Sequence, residues 1–195
     1  GGQFLEHPEQ GVVLQKLRSL NLRIARQKNI VLPEMLRDIL QKPFVGLLIV
    51  GEPDSGKTTL LRAIAHALTQ QKKLATVIDE RGEIFPEQNR LTAQGIEPVD
   101  VISGIAKDRA VQMALRTLSP QVMLLDELGG MQEVEALEQG LFSGVDFVAT
   151  LHASSLEEAF RRPQVQALKA RGALRVMVLL RGRHFPGQVK EVRLL

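Results

Sequence analysis

The sequence predicts an α/β fold built on a mostly parallel sheet, and three observations predict it. Short runs rich in Val, Ile and Leu alternate with segments of helical spacing. One strand-to-helix transition carries a glycine-bounded loop, Gly51-Glu52-Pro53-Asp54-Ser55-Gly56-Lys57-Thr58. Polar residues gather where the apolar runs end, which is where open α/β sheets bind ligands. Strands that alternate with amphipathic helices give a sheet covered on both faces, a three-layer sandwich.

In chain order, "FVGLLIV" reads as a buried strand leading into the loop, and a helical pattern follows from Lys57. "LATVIDE", "QVMLLDEL", "VDFVATLH" and "LRVMVLL" are further strands, with "VKEVRLL" as a candidate last one. Between them, "KDRAVQMALRTLS" sets Ala106, Ala110, Met113 or Ala114, and Leu118 along one helix face. Ser154 or Ser155, followed by Glu157 and Glu158, reads as a capping box that opens a helix.

The loop matches G-x-x-x-x-G-K-[ST] without a mismatch, in its required strand-loop-helix context, and so marks a P-loop NTPase. Glycines at both ends let the backbone curl until its N–H groups point inward, and the helix N-terminus adds positive charge. A polyphosphate such as that of ATP suits this cradle, formed by the amides of Gly51, Glu52, Pro53's neighbours, Asp54, Ser55 and Gly56. Lys57 is placed to reach the β and γ phosphates, Thr58 to offer its hydroxyl to Mg²⁺, and Thr59 to back the α side.

Three groups of polar residues end later strands: Asp79, Glu80 and Arg81; Asp126 and Glu127; Thr150 and His152. Acids there also cap turns, and a histidine can simply fill a hydrogen-bonding niche. Beside a phosphate loop, two adjacent acids divide the labour. Side chains alternate along a strand, so one acid can orient Mg²⁺ with Thr58 while the other reaches water in line with the γ phosphorus. Lys57, with Arg81 or an arginine from a neighbouring copy, would stabilise the spreading negative charge. This arrangement points to hydrolysis. No N-K-x-D segment for guanine and no L-S-G-G-Q-like stretch is found, which leaves a small-molecule kinase as an alternative.

Composition bounds the remaining choices. The 195 residues are 44% hydrophobic and 24% charged, a globular balance for one domain with a short appendage. No apolar run approaches the ~18 residues of a membrane span. A start at Gly1-Gly2 without methionine is expected of a piece of something longer. The absence of cysteine excludes disulfides, thiolate zinc sites and a thiol nucleophile, and it fits a reducing cytoplasm. From Arg161 to Leu195 nine Lys or Arg face one acid, whereas residues 45–160 hold nine against seventeen. With no Trp or Tyr and seven Phe, a stacking platform for nucleic acid is poorly supplied, so protein partners are expected instead.

Five blocks, "SLNLRIARQKN", "GEPDSGKTTLLRAIA", "VIDERGEI", "LRTLSPQVMLLDELGG" and "VATLHASSLEEAFRRP", follow in the order and spacing of a known family. They resemble the stage III sporulation protein AA family, within the type II/type IV secretion and pilus ATPase superfamily. The resemblance spans roughly residues 19 to 180. It implies a RecA-like ATPase using ATP and Mg²⁺, working as a cytoplasmic ring, a hexamer, on the mother-cell side. Membrane proteins of a sporulation channel would be its partners. In that superfamily the matching segments are the aspartate box, Walker B and the histidine box. The resemblance therefore makes Asp79 and Glu80 candidates to orient or deprotonate water, Glu127 the Walker B acid and His152 a γ-phosphate sensor. Glu127 is the favoured base and Asp79 its rival.

Two departures stand out. Transport members carry an arginine and an acid after the Walker B glutamate, where this chain has Gly129-Gly130. Residues 1–43 would be the remnant of an N-terminal domain plus a linker, with Arg23 and Arg26 as cations acting in trans, and residues 44–195 the RecA-like ATPase domain. A catalytically weak ATP-binding scaffold is the other alternative.

Overall fold

The computed structural model describes residues 2–7, 11–19, 30–85 and 99–195. Strands β1 (Gly2–His7) and β2 (Gly11–Leu17) pair antiparallel in a two-stranded sheet of their own. The remaining strands are β3 (Gly46–Gly51), β4 (Ala75–Asp79), β5 (Asp100–Ser103), β6 (Val122–Leu125), β7 (Asp146–His152), β8 (Val176–Leu180) and β9 (Val189–Leu194). They form one sheet in the order β5-β4-β6-β7-β3-β8-β9. All neighbours run parallel except β9, which returns antiparallel to β8. The α/β, mostly parallel architecture is thus as expected.

The period of two in each strand sorts its residues between two cores. On β3, Leu47 and Ile49 join Val77, Leu124, Val148 and Val178 on one face. Leu48 and Val50 join Ile78, Met123, Leu125, Phe147 and Ala149 on the other. Helices α1 (Glu34–Gln41) and α2 (Lys57–Gln70) cover the first face through Leu36, Leu40, Leu60, Leu61, Ile64 and Leu68. Helices α3 (Lys107–Thr117), α4 (Met131–Phe142), α5 (Leu156–Phe160) and α6 (Pro163–Ala170) cover the second. Because both faces are covered, β3, β4, β6 and β8 are buried along their whole length, which is why they read as continuous apolar runs.

Several details resolve open readings. On α3, Ala110 and Ala114 face the core while Met113 is exposed, so the apolar stripe runs through the alanine. Ser155 caps α5 by accepting from the Glu158 amide at 3.1 Å. Ser154 receives the reciprocal contact, its amide donating to Glu158 Oε2 at 2.7 Å, so the box uses both serines. Strand β5 is absent from the sequence reading because its residues are half-exposed at a sheet edge and carry no continuous apolar signal. The expected division between residues 43 and 44 falls just after α1, whose Leu36 and Leu40 are buried in the same core as β3.

Candidate functional site

Strand β3 delivers the loop to the carboxyl edge of the sheet, and α2 leaves it at Lys57. The curl is tight. Gly56 has φ 88°, and a Cβ there would lie 2.3 Å from the Gly187 nitrogen; a Cβ on Gly51 would lie 2.3 Å from Ser55 Oγ. Both glycines are thus required by close approach, and Gly56 also by its left-handed backbone. The Gly187 amide donates to Ser55 O at 2.8 Å, which holds the β8–β9 turn against the loop. Ser55 Oγ is buried without a hydrogen-bond partner in the floor of the cradle.

Lys57, 7% exposed, fills the loop with its own ammonium. Its Nζ donates to Gly51 O at 2.9 Å and Glu52 O at 2.8 Å, and lies 3.0 Å from His152 Nδ1. His152 faces it because Gly51 and His152 are register partners across the β3–β7 ladder. Accepting from an ammonium requires the tautomer with its proton on Nε2. Burial pulls the Lys57 pKa below its usual range, opposed by the negative charges of Asp126, then Glu127 and Asp54.

Beside the loop, Thr58 Oγ1 donates to Asp126 Oδ2 at 3.3 Å. Asp126 Oδ1 accepts from Thr150 Oγ1 at 2.8 Å, and that same hydroxyl accepts the Glu127 amide at 2.8 Å. One β7 threonine therefore fixes both acids. Strand β6 ends at Leu125, so pleat alternation is not what separates Asp126 from Glu127. Glu127 instead has a left-handed backbone, φ 51°, and its side chain is exposed. Among the described residues no three His, Cys, Asp or Glu cluster as metal ligands. The oxygen pair Thr58 and Asp126 suits Mg²⁺, which takes few protein ligands and keeps phosphate and water for the rest. The donors and the cradle fit a magnesium polyphosphate.

Asp79 is placed differently. Its Oδ1 accepts the Glu83 amide at 2.8 Å, and its Oδ2 accepts the amides of Ile84 and Phe85, each at 2.9 Å. The carboxylate, 2% exposed, is turned into the chain that follows β4, where those amides occupy both of its oxygens. Its link to the loop runs through Arg62 of α2, which donates to Ile84 O and, at 2.6 Å, to Glu83 O. Asp79→Asn puts an NH₂ group opposite amide donors, and a stability loss of about 1–3 kcal/mol is expected in urea unfolding. Glu80 and Arg81 are exposed at the same strand end. Arg23 and Arg26 lie outside the described residues.

The sequence reading missed Arg62, Lys107 and Glu133. Arg62 had a signal, since it stands four residues after Thr58 on the same helix face. Also missed was a cleft of about 520 Å³ beside the loop, lined by Ile30, Val31, Pro33, Arg181, Phe185 and Gly187 among others. Its walls come from segments far apart in the chain, which no local pattern connects.

Comparison with known proteins places this geometry. A family model described as sporulation stage III, protein AA, matches residues 1–193. Stage III sporulation protein AA of Bacillus subtilis is 32% identical over 186 residues, covering 92% of this chain and 60% of that protein. Among solved structures, the pilus retraction motor PilT with bound ADP gives a TM-score of 0.60 at 19% identity, over 91% of this chain and 57% of that one. The Legionella pneumophila ATPase DotB gives 0.58 at 18% identity, over 76% and 43%. These likenesses show the fold of secretion and pilus ATPases, and this chain spans about three fifths of its Bacillus relative's length. On the match over nearly its whole length, the chain belongs to the sporulation stage III protein AA family.

Proposed function

We propose that this chain is an Mg²⁺-dependent ATPase that drives or assembles a secretion-like channel during endospore formation. One observation carries the reading: Lys57, Thr58, Asp126 and His152 meet within hydrogen-bonding distance around the phosphate loop, with Glu127 beside them. Lys57 would move from the carbonyls of Gly51 and Glu52 onto the β and γ phosphates, exchanging neutral acceptors for charged ones. Thr58 and Asp126 would hold Mg²⁺, which would neutralise charge between those phosphates. His152, released by Lys57, would be free to sense the γ phosphate. Glu127 would orient or deprotonate the attacking water. The open cleft beside the loop, lined by Ile30, Val31, Arg181 and Phe185 among others, would take the base of the nucleotide.

The protein would act as a hexameric ring in the mother-cell cytoplasm. A neighbour would supply the second cation, and membrane proteins of the channel would dock the ring. Among the described residues no helix is long and apolar enough to cross a membrane. Phosphate release from ATP that requires Mg²⁺, together with a mass above the monomer when ATP is present, is the expected result. Binding without release would instead favour an ATP-dependent scaffold, and a strict monomer in every state would remove the ring.

A further inference from the structure

We propose that Lys107 is a positioning residue for Glu127; the proposal rests on the ATPase reading and adds the device that aims its base. Glu127 adopts a left-handed backbone, φ 51°, which a residue with a Cβ rarely takes. Such a conformation persists only where its surroundings over-determine it. Here both backbone polar groups of the residue are gripped. The Glu127 amide donates to Thr150 Oγ1 at 2.8 Å, and its carbonyl accepts from Lys107 Nζ at 2.6 Å. The next amide, that of Leu128, donates to Thr150 O at 2.7 Å, and the Leu128 side chain is buried.

Thr150 secures one side of this turn and Lys107 the other. Lys107 is the first residue of α3, and its ammonium is held by Glu133 of α4, 3.9 Å away, with both side chains largely shielded. Glu133 in turn accepts the Gly129 amide at 2.7 Å. Burial raises the Glu133 pKa, and the Gly129 amide and Lys107 oppose that rise. Gly129 lets the chain wrap around the Glu133 carboxylate on entering α4, since a Cβ there would lie 3.0 Å from Glu133 Oε1. Lys107, Glu133 and that wrap form a brace behind Glu127, on the side away from Thr150. Without the ammonium, the Glu127 carbonyl loses its charged partner and the residue is free to relax toward an ordinary conformation, which re-aims its carboxylate. A misplacement of about 1 Å at a reacting group lowers turnover on the order of 10²-fold. None of the bonds Lys57 and Thr58 make in the loop involves Lys107.

Lys107→Ala and Lys107→Arg test this in the full chain. In Lys107→Ala, kcat should fall about tenfold or more while KM and the Kd for ATP stay within about twofold. Amide hydrogen exchange at Glu127 and Leu128 should quicken by about tenfold or more, since the turn is freed. Lys107→Arg, which keeps charge and donors, should restore most of both. Exchange at Glu127 and Leu128 equal to wild type in Lys107→Ala would overturn the proposal, and so would a loss carried by KM and Kd with kcat unchanged. A wild-type protein that releases no phosphate would refute the ATPase reading, while the exchange measurement, made without ATP, would still decide the role of Lys107. If Lys107→Ala does not fold, Lys107→Gln serves in its place, retaining a donor for the Glu127 carbonyl without the charge; slower turnover than Lys107→Arg is then expected, and equal turnover would count against the brace.

Discussion

Lys57→Ala is expected to abolish ATP binding at working concentrations, weakening it about 10²-fold or more. Hydrogen bonds to charged groups contribute roughly 1.5–3 kcal/mol each, and Lys57 would make at least two to phosphate oxygens. Lys57 is only 7% exposed, so its attraction to phosphate is screened less than that of a surface lysine. Its present acceptors, Gly51 O, Glu52 O and His152, occupy it without neutralising it. Lys57→Arg should bind poorly as well, because a planar fork does not fit a cradle shaped around a point charge. Titration of each variant with ATP by calorimetry measures the effect. Affinity unchanged in Lys57→Ala would show that the phosphates do not sit in this loop.

Glu127→Gln should leave ATP affinity intact and lower turnover by roughly 10²-fold or more, the scale of a positioned acid or base. Glutamine keeps the length of the side chain and leaves the grips of Thr150 and Lys107 on the backbone in place, so the carboxylate alone is removed. Asp79→Asn provides the contrast. Its carboxylate is occupied by three amides, so the change should appear in unfolding and only weakly in turnover. Single-turnover hydrolysis by both variants decides between them. A folded Asp79→Asn that binds ATP but does not hydrolyse it, beside an active Glu127→Gln, would reverse the assignment of the base.

Much of the site was legible because it is local. The backbone of the phosphate loop is shaped by residues adjacent in sequence, so two glycines, a lysine and a threonine at fixed spacing announce it. Strands buried on both faces announce themselves too, as apolar runs. The edge strand β5, by contrast, carries little of that pattern. How each acid is held was not legible. That depends on one backbone angle at Glu127 and on where the chain after Asp79 presents its amides.

By itself the sequence determined the α/β class, the phosphate cradle and the strand ends around it, because each is set by periodicity and by contiguous residues. Only the tertiary structure decided that His152 meets Lys57, that Arg62 reaches the chain after Asp79, and that Lys107 and Thr150 hold Glu127 between them. Those pairs lie 20 to 95 residues apart. Strand order and helix docking bring them together, and a hydrogen bond depends on separation in space, which spacing along the chain does not encode.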